Sequence, residues 1–198
     1  MFVDIVMGGR IGQGQEPVLR PVFLKPHGVA RGTLTVRPNL SDELRVGVFT
    51  GNDYPAWVRF ASDTQPTTPD LKTTCGIAIK VFDVPGEKIL PPNTNAPTHD
   101  FLLQNHDVFF VDTAHDMCEF THAGVVEGDY GPYLQAHPTT ARILNDMRKV
   151  VSSVLQIEYW SGVRSSSGKT GTSSTSSSRP GSRRAGRCRA SRPTIPTT

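Results

Sequence analysis

Short stretches in which apolar and polar residues alternate predict β-strands in the first half of the chain. They cover residues 32–36, 54–61 and 76–84. The third is the clearest, because β-branched residues dominate it and polar segments flank it. A fourth segment, residues 99–111, contains two strand-like apolar runs on either side of the polar group at residues 104–107.

A helical spacing of apolar residues predicts one amphipathic helix over residues 139–155, directly after Pro138. Its apolar positions are Ile143, Leu144, Met147, Val150, Val151 and Val154. Strands come first along the chain and the helix follows, which favours an antiparallel α+β fold over an alternating βαβ fold.

The composition changes sharply after residue 163. Residues 164–198 contain eight of the 21 basic residues, none of the 18 acidic residues, and ten serines. Ile195 is the only large apolar residue in this segment, so burial cannot offset the entropy cost of ordering it. We predict a disordered Ser/Arg-rich tail at 164–198, a flexible segment at 1–17, and one folded domain at 18–163.

The overall length and composition suit a single compact domain, since 36% of the 198 residues are hydrophobic. No run of 18 apolar residues occurs and the N-terminus lacks a basic start, so we expect a cytoplasmic protein without a membrane span. The cysteines, Cys75, Cys118 and Cys188, are too few and too scattered for a disulfide framework or a zinc site.

Three His-Asp dipeptides begin at His99, His106 and His115, and His122 follows them. Metal ligands must converge on one point, and two residues of one helix do so at i, i+4 spacing. The dipeptides fall on predicted strand and loop segments that lack this spacing. We therefore interpret them as solvated histidines at loop edges and predict no metal site.

Four phrases of the chain occur in the order and at the separations found in catalases. They are RPVFLKPHG at 20–28, AWVRFA at 56–61, GIAIKVF at 76–82 and LLQNHDVFFV at 102–111. On these phrases the chain resembles the catalase superfamily. It is most similar to the shorter catalase-related haem proteins, with which it shares the phrases YPAWVRF, DMCEFT, AGVVEGDY, HPTTARIL and YWSG. The resemblance covers about residues 18–163 and implies the N-terminal, incomplete part of a catalase-like antiparallel β-barrel with peripheral helices.

The resemblance implies functional roles for four residues. Asn105 matches the asparagine that hydrogen-bonds peroxide on the distal side of the haem, and Phe110 matches a phenylalanine of the pocket wall. Arg20 and Arg59 match arginines that pair with the haem propionates, a task that suits the planar guanidinium group. Strand alternation alone would make Arg59 a residue of a surface ion pair.

The distal histidine is the point at which this chain departs from the catalase pattern. When Arg20 is aligned, the histidine position is occupied by Phe23, whose ring cannot transfer protons. His27 could act as the acid and base if its segment carries it over the haem. The alternative is a structural His27 in a pocket with altered or no catalase activity. Ala61 also replaces a serine whose hydroxyl would orient the imidazole.

The proximal ligand of the implied haem b has no counterpart in this chain. A catalase-type haem is held by a tyrosinate from an Arg-x-x-x-Tyr helix, and no such motif occurs. The resemblance ends after the YWSG phrase, and the Ser/Arg tail follows at once. This change is what a shifted reading frame in GC-rich DNA would produce, so we hypothesise a truncated or frameshifted product.

The sequence therefore favours a haem-dependent oxidoreductase of the catalase or peroxidase type that acts on hydrogen peroxide or organic hydroperoxides. His27 and Asn105 are its catalytic candidates, and Arg20, Arg59 and Phe110 are its haem-binding candidates. The alternative from another class is a non-catalytic haem-binding or inert fragment. We expect a small-molecule peroxide as partner and only non-specific nucleic-acid binding by the tail; a homo-oligomer is compatible with the sequence.

Overall fold

The computed structural model of this chain describes residues 1–51, 53–68, 73–88, 91–148 and 152–161. The predicted disordered tail at 164–198 lies outside the described residues. Within the described ranges, none of the helices has the length and the apolar stretch that crossing a membrane would require.

Within the described residues, five strands form one antiparallel sheet, and strands that are neighbours in the sheet are also consecutive along the chain. They are β1 (Lys25–Thr35), β2 (Asp53–Ser62), β3 (Cys75–Phe82), β4 (Thr98–Gln104) and β5 (Trp160–Ser161). The strands predicted at 32–36, 54–61 and 76–84 are confirmed, although β1 begins seven residues before its predicted start. The α+β class is confirmed as well.

The sheet is open within the described residues, with β1 and β5 as its two edges. The barrel that the catalase resemblance implies is therefore not closed by this part of the chain. Closure would require β1 and β5 to pair with each other or with further strands.

The second apolar run of the segment at 99–111 does not form a strand, so that part of the prediction is wrong. The chain leaves the sheet at Gln104. Phe110 and Val111 are buried against helical residues instead of pairing with a neighbouring strand. The run is apolar because it enters a core, and periodicity alone cannot tell a core segment from a strand.

Strand alternation divides the side chains of the sheet between two faces. The buried face packs its cluster of Tyr54, Ala56 and Val81 against Val48, which lies in the 3-10 turn Gly47–Thr50. The opposite face, here called the arginine face, carries the side chains of residues 31, 57 and 59. On it the guanidinium carbon of Arg31 lies 4.7 Å from the centroid of the Trp57 ring.

In the described part of the chain, four α-helices accompany the sheet: α1 (Gly8–Gly12), α2 (Ala114–His122), α3 (Gly131–Ala136) and α4 (Pro138–Met147). A second core cluster joins Phe110 and Val111 to Ile143 and Met147 of α4. The helix predicted at 139–155 is confirmed at its start, and α4 ends at Met147, after which Arg148 has φ −83° and ψ 23°. The predicted apolar positions Val150 and Val151 lie outside the described residues.

The N-terminal residues, expected to form a flexible segment, contain the π-helical turn Phe2–Met7 followed by α1. The Arg10 side chain ties this helical segment to the approach to β1. Its Nη1 donates to the Leu19 carbonyl at 2.8 Å and to the Arg20 carbonyl at 2.6 Å.

We predict that Met147→Ala destabilises the protein by about 2–5 kcal/mol, because it leaves a cavity in a well-packed core. Met147 is 0% exposed. Urea unfolding followed by circular dichroism measures the change. Leu102→Ala is the control, since Leu102 is 70% exposed and its loss should cost less than about 0.5 kcal/mol. Equal effects of the two substitutions would contradict this packing.

Candidate functional site

A β-bulge at His27 determines where the imidazole points. The pairing of β1 with β2 shifts register between Pro26 and Gly28, which leaves His27 as the extra residue. A bulge bends its strand and redirects a side chain. Here the His27 Nε2 is hydrogen-bonded to the Ser62 Oγ at 2.6 Å, so the imidazole is fixed on the buried face at one end of the sheet.

The hydrogen bonding continues from Ser62 into the neighbouring strand. The Ser62 Oγ lies 3.5 Å from the Cys75 Sγ, and that thiol donates to the Thr73 carbonyl at 3.6 Å. The Ser62 hydroxyl can donate or accept in both contacts, so these bonds connect β1, β2 and β3 and position the imidazole without fixing its tautomer.

Cys75 and Tyr159 both hold their protons more tightly than usual. Burial raises the pKa of the Cys75 thiol, although the hydrogen bond with Ser62 partly opposes the shift. Burial also raises the pKa of the Tyr159 hydroxyl, and the nearby charge of Cys75 adds to the shift. The Tyr159 hydroxyl donates to the Val154 carbonyl at 2.9 Å. The thiol and the phenol are therefore both neutral near pH 7, and the phenol is hydrogen-bonded to a backbone carbonyl.

Asn105 lies at the same end of the sheet, but its side-chain amide is already hydrogen-bonded to backbone groups. Its Oδ1 accepts from the Cys75 backbone N–H at 3.2 Å, and its Nδ2 donates to the Met147 carbonyl at 2.7 Å. The second bond satisfies a carbonyl at the end of α4, a group that helix geometry leaves without a partner. Asn105 therefore connects β3 to α4, and its geometry here is that of a structural clamp.

Arg59 projects from β2 on the opposite side of the sheet from Ser62, because the two residues are three positions apart in a regular strand. Its Nη2 donates to the Phe23 carbonyl at 2.7 Å. Burial, followed by the positive charge of Arg20, lowers the pKa of the Arg59 guanidinium. The positive charge of Arg20 thus acts on Arg59, and an anion bound near Arg59 would relieve this repulsion.

Phe23 is also on the arginine face, where its ring covers Gly76. A Cβ atom at position 76 would lie 2.5 Å from the Phe23 Cε1, so only glycine lets the ring come this close. The Phe23 backbone has a φ of 52°, which is rare for a bulky residue. Its N–H donates to the Asp63 Oδ1 at 3.0 Å, and with the Arg59 bond this holds the strained conformation in place.

Gln104 is a candidate that the sequence did not single out. It is paired with Gly76 in the sheet and so shares the arginine face with Phe23. Its Oε1 is buried and has no hydrogen-bond partner among the residues that the structure describes. A buried acceptor without a partner is costly and requires an explanation, and a bound ligand with a donor group would provide one.

Phe110 faces neither the polar residues around Ser62 nor those of the arginine face. It is 9% exposed and lies in the second core cluster with Met147. Its ring centroid is 4.6 Å from that of Phe109 and 4.9 Å from that of Phe120. These contacts are those of a core residue between the segment after β4 and the helices.

The five residues expected to form one site are therefore distributed over three places. His27 and Asn105 lie at the same end of the sheet, Arg59 is on the arginine face within the electrostatic influence of Arg20, and Phe110 is in the helical core. Ser62 provides a hydroxyl one position beyond Ala61. The signal for it was present in the sequence, because Ser62 directly follows AWVRFA.

The His-Asp dipeptides also differ among themselves. His99 lies on β4 as predicted, and His106 lies in the loop that follows. His115 does not fit the prediction of strand and loop positions, which is wrong for this residue, because it lies in α2. The Thr113 cap, which starts α2 with a side-chain hydrogen bond to the Asp116 N–H, was not recognised in the sequence.

No protein-family profile and no curated protein sequence matches this chain. Its chemistry has to be inferred from the residues themselves.

We predict that Asn105→Ala destabilises the protein by about 1–3 kcal/mol, because it leaves the buried N–H of Cys75 and the carbonyl of Met147 without partners. Urea unfolding measures the change, with Asn145→Ala as a control at an exposed asparagine of α4. A variant of unchanged stability that had lost only ligand binding would instead identify Asn105 as a functional residue.

Proposed function

We propose that this chain is a catalase-related haem-binding protein in which the distal chemistry of a catalase is absent or strongly impaired. The observation that carries the proposal is the division of the candidate residues between two faces of one sheet. Phe23 and Arg59 are joined on the arginine face by a 2.7 Å hydrogen bond, whereas His27 is bonded to Ser62 on the opposite face.

The arginine face has the groups that a haem's carboxylates require. Arg59 uses one of its five N–H donors on the Phe23 carbonyl, so others remain for a carboxylate. Arg20 is exposed and close enough to lower the pKa of Arg59. A dianionic ligand would pair with both guanidinium groups, and bidentate pairing with carboxylates is the strongest form of that interaction.

The same face lacks a proton carrier at the position that matters for catalysis. When bound, the haem supplies the redox-active iron for peroxide cleavage, while the protein has to supply a group that moves the peroxide proton. Phe23 stands where the resemblance expects a histidine, and its ring cannot do this. The Gln104 side-chain amide lies on this face. It could hydrogen-bond a ligand and orient it, but an amide does not remove a proton.

A second candidate function is peroxide turnover through His27, the function that the resemblance favours at first. The hydrogen bond of 2.6 Å from His27 to Ser62 supports it, because a hydroxyl partner orients an imidazole. However, Arg59 and His27 belong to opposite faces, and a single flat haem cannot contact both sides of a sheet.

Arg59→Ala is predicted to weaken hemin binding by about tenfold to a hundredfold, as expected when a charge-assisted hydrogen bond of about 1.5–3 kcal/mol is lost. Titration of the purified full chain with hemin, followed by the Soret absorption, measures the affinity. The hemin affinity of Arg59→Lys should fall between those of the wild-type protein and Arg59→Ala, because lysine keeps the positive charge and lacks the planar guanidinium group.

Arg142→Ala is the matched control, since Arg142 is an exposed arginine on α4 whose Nη1 lies 3.5 Å from the Asp146 Oδ2. It should leave hemin affinity unchanged. If Arg59→Ala keeps its fold by circular dichroism and binds hemin as tightly as Arg142→Ala, the arginine face is not the haem site.

Phe23→His is predicted to raise the peroxide turnover of the hemin-loaded protein by roughly a hundredfold or more, the usual contribution of a positioned acid and base. Histidine also tolerates the left-handed backbone of this position better than phenylalanine. Oxygen release and oxidation of a peroxidase dye are measured for the wild-type protein and the variant at equal Soret absorption.

Val22→His places an imidazole on the neighbouring exposed residue and should not raise turnover. High activity of the wild-type protein that disappears in His27→Ala would establish the second candidate function and overturn the first.

A further inference from the structure

We propose that one face of α2 binds a divalent transition-metal ion of the Zn²⁺ type through His115, Asp116 and Glu119. This site is separate from the haem proposal and does not depend on it. It lies on the helix surface away from Met117 and Phe120, which pack into the second core cluster.

The three side chains already converge on one small volume. One potential ligand atom from each lies within 4.8 Å of the others. His115 and Glu119 are one helical turn apart, and the His115 Nδ1 is 3.8 Å from the Glu119 Oε1. Bonds of about 2.1 Å to zinc require donor atoms roughly 3.4 Å apart, a separation that small side-chain rotations can reach from this arrangement.

Asp116 is oriented by the local structure of the helix start. Its Oδ2 accepts from the Thr113 N–H at 3.1 Å, and its own N–H donates to the Thr113 Oγ1 at 3.1 Å. This capping box holds the carboxylate next to His115 and leaves its other oxygen available. Outer hydrogen bonds of this kind orient the ligands of protein metal sites and increase their affinity.

The surroundings contain further nitrogen and sulfur donors. His115 and Glu119 lie in a groove that Cys118, His122 and His137 also line. Three of the protein's six histidines therefore face this one groove. The His122 Nδ1 is 3.2 Å from the Glu127 Oε1. A surface ion pair involves only two side chains. This groove instead contains several side chains whose nitrogen, oxygen or sulfur atoms can coordinate a metal ion such as Zn²⁺.

The donor types indicate the class of metal. Imidazole nitrogen favours zinc, copper, nickel and cobalt over magnesium and calcium, which prefer all-oxygen sites. Three protein ligands leave at least one position for water or another small molecule. We therefore expect binding of Zn²⁺ and Co²⁺ and no competition by a large excess of Mg²⁺.

The test is a titration of the untagged full chain with Zn²⁺ and, separately, Co²⁺. Calorimetry gives the stoichiometry, and the visible absorption of Co²⁺ reports the ligand types. We expect one ion per chain. His115→Ala and Glu119→Gln should each weaken binding at least tenfold, since even outer-shell changes cost roughly 10- to 100-fold.

His99→Ala is the matched control, because His99 is an exposed histidine on β4, outside this groove. It should retain affinity within about twofold of the wild-type protein. Circular dichroism of every variant checks that α2 is still folded.

Two results would overturn the proposal. One is the absence of saturable Zn²⁺ binding by the folded wild-type chain. The other is binding that survives in His115→Ala and disappears in His122→Ala or Cys118→Ser, which would assign the ion to the other end of the groove.

Discussion

The buried hydrogen bonds at one end of the sheet are the constraint on which the rest of this structure depends. Ser62, which is 0% exposed, is hydrogen-bonded to the His27 imidazole and contacts the Cys75 thiol. Asn105 continues the connection from Cys75 to the last turn of α4. Polar groups buried this deeply are stable only when all of them have partners, so the network holds one alignment of β1 to β4 and one position of α4.

That alignment also decides which residues can cooperate. Side chains of a strand alternate between its two faces, and a shift of one residue exchanges the faces. Ser62 is one position beyond Ala61, the position at which the resemblance expects a serine. Because of this one-residue offset, the Ser62 hydroxyl and His27 lie on the buried face. Arg59, Phe23 and Gln104 lie on the arginine face. The geometry therefore supports ligand binding at the arginine face more than proton transfer there.

The helical part of the chain shows the same dependence on context. The second apolar run after β4 looks like a strand in the sequence, yet Phe110 and Val111 enter a core with Ile143 and Met147. The His115-Asp116 dipeptide looks like a loop edge, yet it begins α2. In both cases the local pattern is short, and the partner that stabilises it comes from a distant part of the chain.

The sequence by itself determined the α+β class, the presence of β2 and β3, and the start of α4, because periodicity over eight or more residues distinguishes strands from helices. It also indicated that Arg59 lies on the polar side of its strand. Only the tertiary structure decided that His27 is a bulge residue and that backbone groups occupy the Asn105 amide. Only the tertiary structure left Gln104 with a buried, unpartnered oxygen. These features arise from strand register and from contacts between residues dozens of positions apart, and local patterns carry no information about either.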